Sequence, residues 1–262
     1  MAGESARRGE YQHTVQRRER LLGLLDERGG VSVQDLAREL DVSVATVRRD
    51  LAHLEGTHRV ARTYGGAIDT GRLDRSWREK STEHLGEKRD LARWAADRVQ
   101  PGSTVMLDSG TTVAELAALL GEREDLLLVT NGLSSILELA DARAEVLVLG
   151  GRLRRPSESI VGLLTLQALE RVTADIGYLG AEAVDPVRGI NCPEIDQAAV
   201  KELMSRNARE TWLLVHSSKF DREPPFSHWA PMGPGCGLVT DRGASEERIS
   251  AFRDAGWRVE TV

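Results

Sequence analysis

From residue 103 onward seven apolar runs recur along the chain: "STVMLDS", "DLLLVTN", "AEVLVLGG", "DIGYLGAE", "TWLLVHSS", "CGLVTD" and "GWRVETV". Most of the segments between them, among them "TTVAELAALLG", "LSSILELADA", "IDQAAVKELMSRNA" and "SEERISAFRDAG", place apolar residues at helical spacing. Alternation of strand and helix over this length constrains the fold tightly. The strands read as buried on both faces, which requires a mainly parallel, Rossmann-like α/β sheet with helices covering each side.

Ligands of such sheets bind beyond the carboxyl ends of the strands. After the first strand stands Asp108-Ser109-Gly110-Thr111-Thr112, after the second Thr130-Asn131-Gly132, after the third Gly150-Gly151-Arg152, and after the fifth Ser217-Ser218-Lys219. The Ser-Gly-Thr-Thr turn opens a helix. It combines backbone N–H groups made approachable by Gly110, three hydroxyls and the positive end of a helix, which suits a phosphate or carboxylate. The competing reading is that Ser and Thr merely cap the helix. Lys201 and Lys219 near strand ends would complete an anion site, or else are solvated surface lysines.

Other chemistries find no motif. No Lys follows the turn as in a Walker A loop, and no GxGxxG is present, so neither nucleotide hydrolysis nor a dinucleotide cofactor is expected. Cys192 and Cys236 lie far apart, without CxxC or Cys/His pairing, and predict neither a disulfide framework nor a metal centre. The N-terminus lacks the apolar core of a secretory signal and no run is long enough to span a membrane, so a cytoplasmic protein is expected.

The N-terminal part is different in kind. In "TVQRRERLLGLLDERGG", Val15, Arg18, Leu22 and Leu25 form a stripe at helical spacing, stopped by Gly29-Gly30. "VSVQDLARELDV" reads as a second helix, capped by Ser32 with Asp35 three residues on and burying Leu36, Ala37 and Leu40. "SVATVRRDLAHLE" reads as a third, capped by Ser43, with Val44, Val47, Leu51 and Leu54 on its inner face. Ala45, Thr46, Arg48 and Arg49 then fall outward near its start. Two short helices joined by a tight turn, the second presenting small residues and arginines, suit a helix-turn-helix entering a major groove. An ordinary helical hairpin with a solvated Arg-Arg face is the plainer alternative. "THRVARTYGGAI" alternates as a strand pair around Gly-Gly and places Arg59 and Arg62 as a wing along a phosphate backbone. Positive and negative side chains balance across residues 1–69, so the whole net charge of −6 falls in the remainder. DNA contact must therefore rest on locally placed arginines.

The polar stretch "DTGRLDRS" marks a boundary. The expected organisation is a disordered tail over residues 1–13, a winged helix-turn-helix over 14–68, a linker over 69–76 and an α/β domain over 77–262. The α/β domain opens on one helix in "STEHLGEKRDLARWAADRV".

"SVATVRRDLAHLE" followed by "RTYGGAI" resembles the head of the DeoR family of bacterial transcription regulators. "LDSGTTVAELA", "VTNGL", "LGGRLR", "DQAAVKELM" and "SSKF" follow in the order of that family's sensor domain, which is similar in fold to ribose-5-phosphate isomerase. The resemblance implies a homo-oligomeric (dimeric or tetrameric) repressor of a sugar-catabolism operon, released from double-stranded operator DNA by a phosphorylated sugar. It further implies that Asp108, Ser109, Gly110, Thr111 and Thr112 hold the phosphate, while Thr130, Asn131, Asp196, Lys201 and Lys219 surround the sugar. Three positions depart from the family pattern. The nearest glycine to the His58 position is Gly56, which would end the helix early. His216 replaces a common Asp, and "DQAAVK" replaces "EEAEVK", which points to a different ligand. A second reading is a sugar-phosphate isomerase with an accessory head, in which Asp108, Asp196 or Glu194 would act with Lys201. A third is a sensor domain serving only as a dimerisation scaffold.

Overall fold

The computed structural model describes residues 14–25, 31–56, 60–63, 66–69, 74, 76–220, 226–233 and 235–262. The expected tail over 1–13, the wing residue Arg59, the side chain of Arg62 and the His58 departure fall outside these. The chain divides into two compact units, Met1–Arg75 and Ser76–Val262.

In the first unit residues 14–25 are helical, followed by strand β1 (Val31–Ser32), helices Val33–Glu39 and Val44–Gly56, and strands β2 (Val60–Thr63) and β3 (Gly66–Asp69). Ser32 caps its helix by accepting from Asp35 N at 3.1 Å, and its hydroxyl donates to the Asp35 carboxylate at 2.6 Å. Leu21, Leu22 and Leu25 of the first helix meet Leu36, Ala37, Val47, Leu51 and Leu54 in one apolar core. The first helix is rotated from the expected stripe: Leu21 is fully buried, whereas Val15 is 36% exposed. Arg18 does face inward, but for an ionic reason, because its Nε meets Asp50 Oδ1 at 2.9 Å. Leu40 and Val44 are only partly buried against the cluster. The wing pairs antiparallel, Ala61 opposite Ile68, and β1 adds a third strand through Val31 opposite Ala67. Two residues are too short a run for periodicity to reveal.

The second unit is built on a seven-stranded sheet of β4 (Thr104–Leu107), β5 (Leu127–Thr130), β6 (Glu145–Val148), β9 (Ala174–Gly180), β12 (Ala208–Leu214), β14 (Gly237–Thr240) and β15 (Arg258–Thr261). All seven are the apolar runs of the sequence, and every pairing among them is parallel. The order is β15-β14-β12-β9-β4-β5-β6, so chain direction across the sheet reverses between β4 and β9. Successive residues feed opposite faces: Met106 joins one apolar core with Leu213 and Leu238, while Val105 and Leu107 join another with Leu128 and Tyr178. Both faces are thereby covered, as a parallel sheet requires.

Several local expectations are corrected. The helix expected across "STEHLGEKRDLARWAADRV", residues 81–99, runs only over Leu85–Ala96, after His84, whose φ of 49° is left-handed, and a separate short helix, Trp77–Ser81, precedes it. "LSSILELADA" is helical only over Leu133–Glu138. The hairpin of β7 (Arg152–Arg154) and β8 (Ser159–Val161), the helix Leu163–Leu169, and the antiparallel sheet of β10 (Ala183–Asp185), β11 (Gly189–Cys192) and β13 (His228–Ala230) were not anticipated. Each strand there has three or four residues, below the length at which alternation is distinctive.

Candidate functional site

In the first unit the helix Val44–Gly56 separates cleanly into two faces. Val47, Leu51 and Leu54 are buried, while Ala45, Arg48, Arg49, Ala52 and His53 are exposed. Ser43 Oγ accepts from Thr46 N at 3.1 Å and bonds Thr46 Oγ1 at 2.9 Å, so both hydroxyls secure the helix start. The inner face also carries Asp50, 2% exposed, which receives Arg17 Nε at 2.7 Å and Arg18 Nε at 2.9 Å. Burial would raise its carboxyl pKa, but the hydrogen bonds and charge of the two guanidiniums outweigh that and hold it below the usual range. This strut across the helices sets which way Arg48 and Arg49 project. A small Ala45 with exposed arginines near a helix start is the surface a major groove accepts.

In the second unit the Asp108 turn lies at the end of β4, where chain direction reverses across the sheet. Asp108 is fully buried; its Oδ2 accepts from the Lys201 ammonium and from Gly180 N at 3.1 Å. Lys201 also donates to Gly180 O at 2.8 Å. One carboxylate and one lysine thus close the space between β4, β9 and the helix Ile195–Asn207. Ser109 Oγ reaches Asp108 Oδ1 only at 3.4 Å, a weak contact. The N-cap of the helix Thr111–Leu120 is Gly110, at φ 143°, with no side-chain cap hydrogen bond. The capping explanation of Ser109, Thr111 and Thr112 therefore does not describe this turn. Gly110 supplies a backbone that other residues rarely adopt, with open space where a Cβ would stand.

Thr130 and Asn131 stand beside this turn, at the end of β5. A Cβ on Gly132 would lie 2.9 Å from Ser109 Cα, so glycine is what lets the two loops touch. Thr130 Oγ1 donates to Leu107 O at 2.8 Å and accepts from Gly132 N at 3.1 Å. Its hydroxyl is spent on holding β5 to β4. Asn131 Nδ2 donates to Ile160 O at 3.1 Å, and among the described residues its buried Oδ1 has no hydrogen-bond partner.

Lys219 belongs to a second cluster. Its Nζ donates to Glu182 Oε2 at 2.8 Å, while Lys80 donates to Glu182 Oε1. Burial would raise the Glu182 pKa, but Lys80 and Lys219 hold it down to about 2. Lys88, 3% exposed, donates to the carbonyls of Lys80 and Glu83; burial and the neighbouring Lys219 lower it to about 8. His216 is buried, stacks on His84 at 4.5 Å between ring centroids, and is lowered to about 3 by burial and by Lys219. Across the two clusters, among the described residues, the ammoniums of Lys80, Lys201 and Lys219 meet two carboxylates, Asp108 and Glu182, with Lys88 beside them on backbone carbonyls. A cationic excess drawn largely from water is suited to an anion.

Asp196 is not with either cluster. It is half exposed at the start of its helix, where Arg152 bridges it at 3.1 Å and Glu194 at 2.9 Å; Glu194 also meets buried Arg154 at 3.1 Å. Of the carboxylates considered as a catalytic base, Asp108 is paired to Lys201 and the other two to arginines. Among the described residues no group of three or more His, Cys, Asp or Glu is placed to hold a metal, and both cysteines are buried and free. Glu182, Lys80 and Lys88 were missed by sequence reasoning. Applying the strand-end rule to the fourth run, "DIGYLGAE", points at Glu182. Nothing in the charged stretch "REKSTEHLGEKR" distinguishes Lys80 and Lys88 from solvated lysines.

Both units match models of one family. The DeoR-like helix-turn-helix domain matches residues 17–70, and the DeoR C terminal sensor domain matches residues 83–242. The chain is 37% identical over 254 residues to the "Putative aga operon transcriptional repressor" of Escherichia coli O157:H7, covering 95% of this chain and 94% of the relative. It is 30% identical over 212 residues to the glycerol-3-phosphate regulon repressor of Escherichia coli K12, covering 79% and 83%. A solved ribose 5-phosphate isomerase from Methanocaldococcus jannaschii aligns at 18% identity and a TM-score of 0.38, over 51% of this chain and 53% of its own.

Proposed function

This chain belongs to the DeoR family of transcription regulators, and we propose that it represses a sugar-metabolism operon and is released from operator DNA by a phosphorylated sugar. The observation that carries the effector half is the surplus of lysines over carboxylates at the strand ends, next to a glycine-opened helix start. Asp108 to Thr112 receive the phosphate by backbone N–H groups and hydroxyls, with Lys201 held in register by Asp108. Thr130, Asn131, Lys219 and Asp196 then bound the sugar in graded ways: Asn131 offers an unpaired Oδ1, Lys219 a cation, Thr130 only the wall, and Asp196 the rim. Ser43, Ala45, Thr46, Arg48 and Arg49 form the DNA face, with Arg59 and Arg62 on the wing.

Relatives aligned over most of the chain carry the names of repressors, one of the glycerol-3-phosphate regulon, which favours regulation over the isomerase reading. The regulator acts in the cytoplasm as a dimer or tetramer, so that paired heads read half-sites one helical turn apart or multiples of it. Among the described residues no helix is long and apolar enough to cross a membrane.

Thermal unfolding against a panel of phosphorylated sugars tests the effector site. A ligand at a hundred times its Kd should add about 2.7 kcal/mol of stability. A panel without any shift would return the domain to a scaffold role.

A further inference from the structure

Glu182 is a largely buried carboxylate shared by two lysines from distant parts of the chain, Lys219 and Lys80, its side chain 17% exposed. Lys80 sits in the five-residue helix Trp77–Ser81, which begins two residues after Arg75, where the first compact unit ends. No residue of that helix is fully buried, although Trp77 is partly so and its indole Nε1 is shielded from solvent. Its other fastenings are polar. Ser76 and Glu79 close a capping box, Trp77 N donates to Pro156 O at 2.9 Å, Lys80 donates to Glu182, and the Lys88 ammonium donates to Lys80 O. Two of these four run directly into the lysine cluster, and a third ends on the turn between β7 and β8.

We infer that the helix Trp77–Ser81 is a third wall of the effector site, and that Lys80 and Glu182 act as positioning residues that transmit occupancy of the site to the chain leaving the DNA-binding unit. The inference rests on the effector reading above. An anionic group entering beside Lys219 competes with Glu182 for the ammoniums and repels the carboxylate. Lys80 is then drawn toward the ligand or loses its partner. In either case the hydrogen bonds that hold a helix with no fully buried residue are rearranged, and the linker attached to it feels the change. A differential contact of this kind is what a ligand needs in order to shift a conformational equilibrium.

Hydrogen exchange on the full chain tests this, with inorganic phosphate as the probe and chloride at equal ionic strength as the reference. In wild type, phosphate should alter exchange both at residues 109–114 and at residues 77–82. In Lys80→Met, exchange over 77–82 should be faster at the outset, phosphate should still protect 109–114, and the response over 77–82 should vanish. Lys80→Arg should restore it. A merely structural lysine would raise exchange without severing the response, so a phosphate effect on 77–82 that persists in Lys80→Met overturns the inference. So does a wild-type response confined to 109–114. Absence of any response at 109–114 in wild type is a distinct result that strikes the effector reading itself.

Discussion

The two units put their charges to opposite uses. In the first, the face proposed to meet DNA is outside and the one buried charge among the described residues, Asp50, is matched by arginines that are themselves 24% and 22% exposed. In the second, the residues proposed to meet the effector are inside, and Asp108 and Lys201 are 0% and 6% exposed at their side chains. A DNA reader needs its cations in water until the phosphates arrive, because release of counterions drives the association. A small-anion sensor needs them desolvated, because one phosphate must outweigh solvent. Under the proposed function, the first unit uses ion pairing to aim a surface, and the second uses it to hold Lys201 beside the Asp108 turn.

That contrast orders the expected effects. Lys201→Met leaves Asp108 buried beside a methionine and should cost about 3–5 kcal/mol in denaturant unfolding, with Asp108→Leu added to it recovering much of the loss. A cost under about 1 kcal/mol would mean that the pair is hydrated and the pocket open. Next comes acid sensitivity. His216 is neutral in the folded protein down to about pH 3 and titrates near its ordinary 6.5 when unfolded. The unfolded state therefore binds more protons between these values, so stability falls as pH drops below 6.5 and levels off near 3. His216→Gln should remove roughly 2–4 kcal/mol of that acid loss between pH 7 and 4, read as a flatter dependence of the unfolding midpoint on pH.

Asp50→Asn should act more weakly, about 1–3 kcal/mol, since its arginines can return to solvent, and it should be felt in the melting of the first unit alone. Smallest in stability terms are changes on the DNA face itself. Arg49→Ala should leave folding as it was, weaken specific DNA binding by about 1–3 kcal/mol and relax base preference, whereas Arg62→Ala should weaken all sequences alike and lower the salt slope by about one. Equal behaviour of both variants and wild type on DNA would unseat the helix Val44–Gly56 as the reading element.

How much of this was legible follows the same division. The seven parallel strands and the outer face of Val44–Gly56 are written in periodicity, which is local: Val47, Leu51 and Leu54 point one way because the helix repeats. The turn Asp108 to Thr112 was legible because a parallel sheet presents its strand ends together. Lys201 and Lys219 were named near the same strand ends, but which carboxylate each lysine meets was not legible, because Lys201 lies 93 residues from Asp108, and Lys80 lies 102 from Glu182. No spacing rule joins them; only the fold does. Asp196 illustrates the converse, since a carboxylate at a helix start near the site is claimed by Arg152 in a contact that the sequence does not announce. A single left-handed residue, His84, delays to Leu85 a helix that the sequence starts at Ser81.

Under the proposed function, occupancy of the lysine-lined site and occupancy of DNA exclude one another in a single chain. Titrating the full-length protein onto the DNA upstream of its own gene, with and without the phosphorylated sugar that most raises its melting temperature, tests this directly. The sugar phosphate should weaken DNA binding severalfold at constant ionic strength, and the unphosphorylated sugar should not. Equal DNA affinity with and without a ligand that demonstrably stabilises the protein would contradict it.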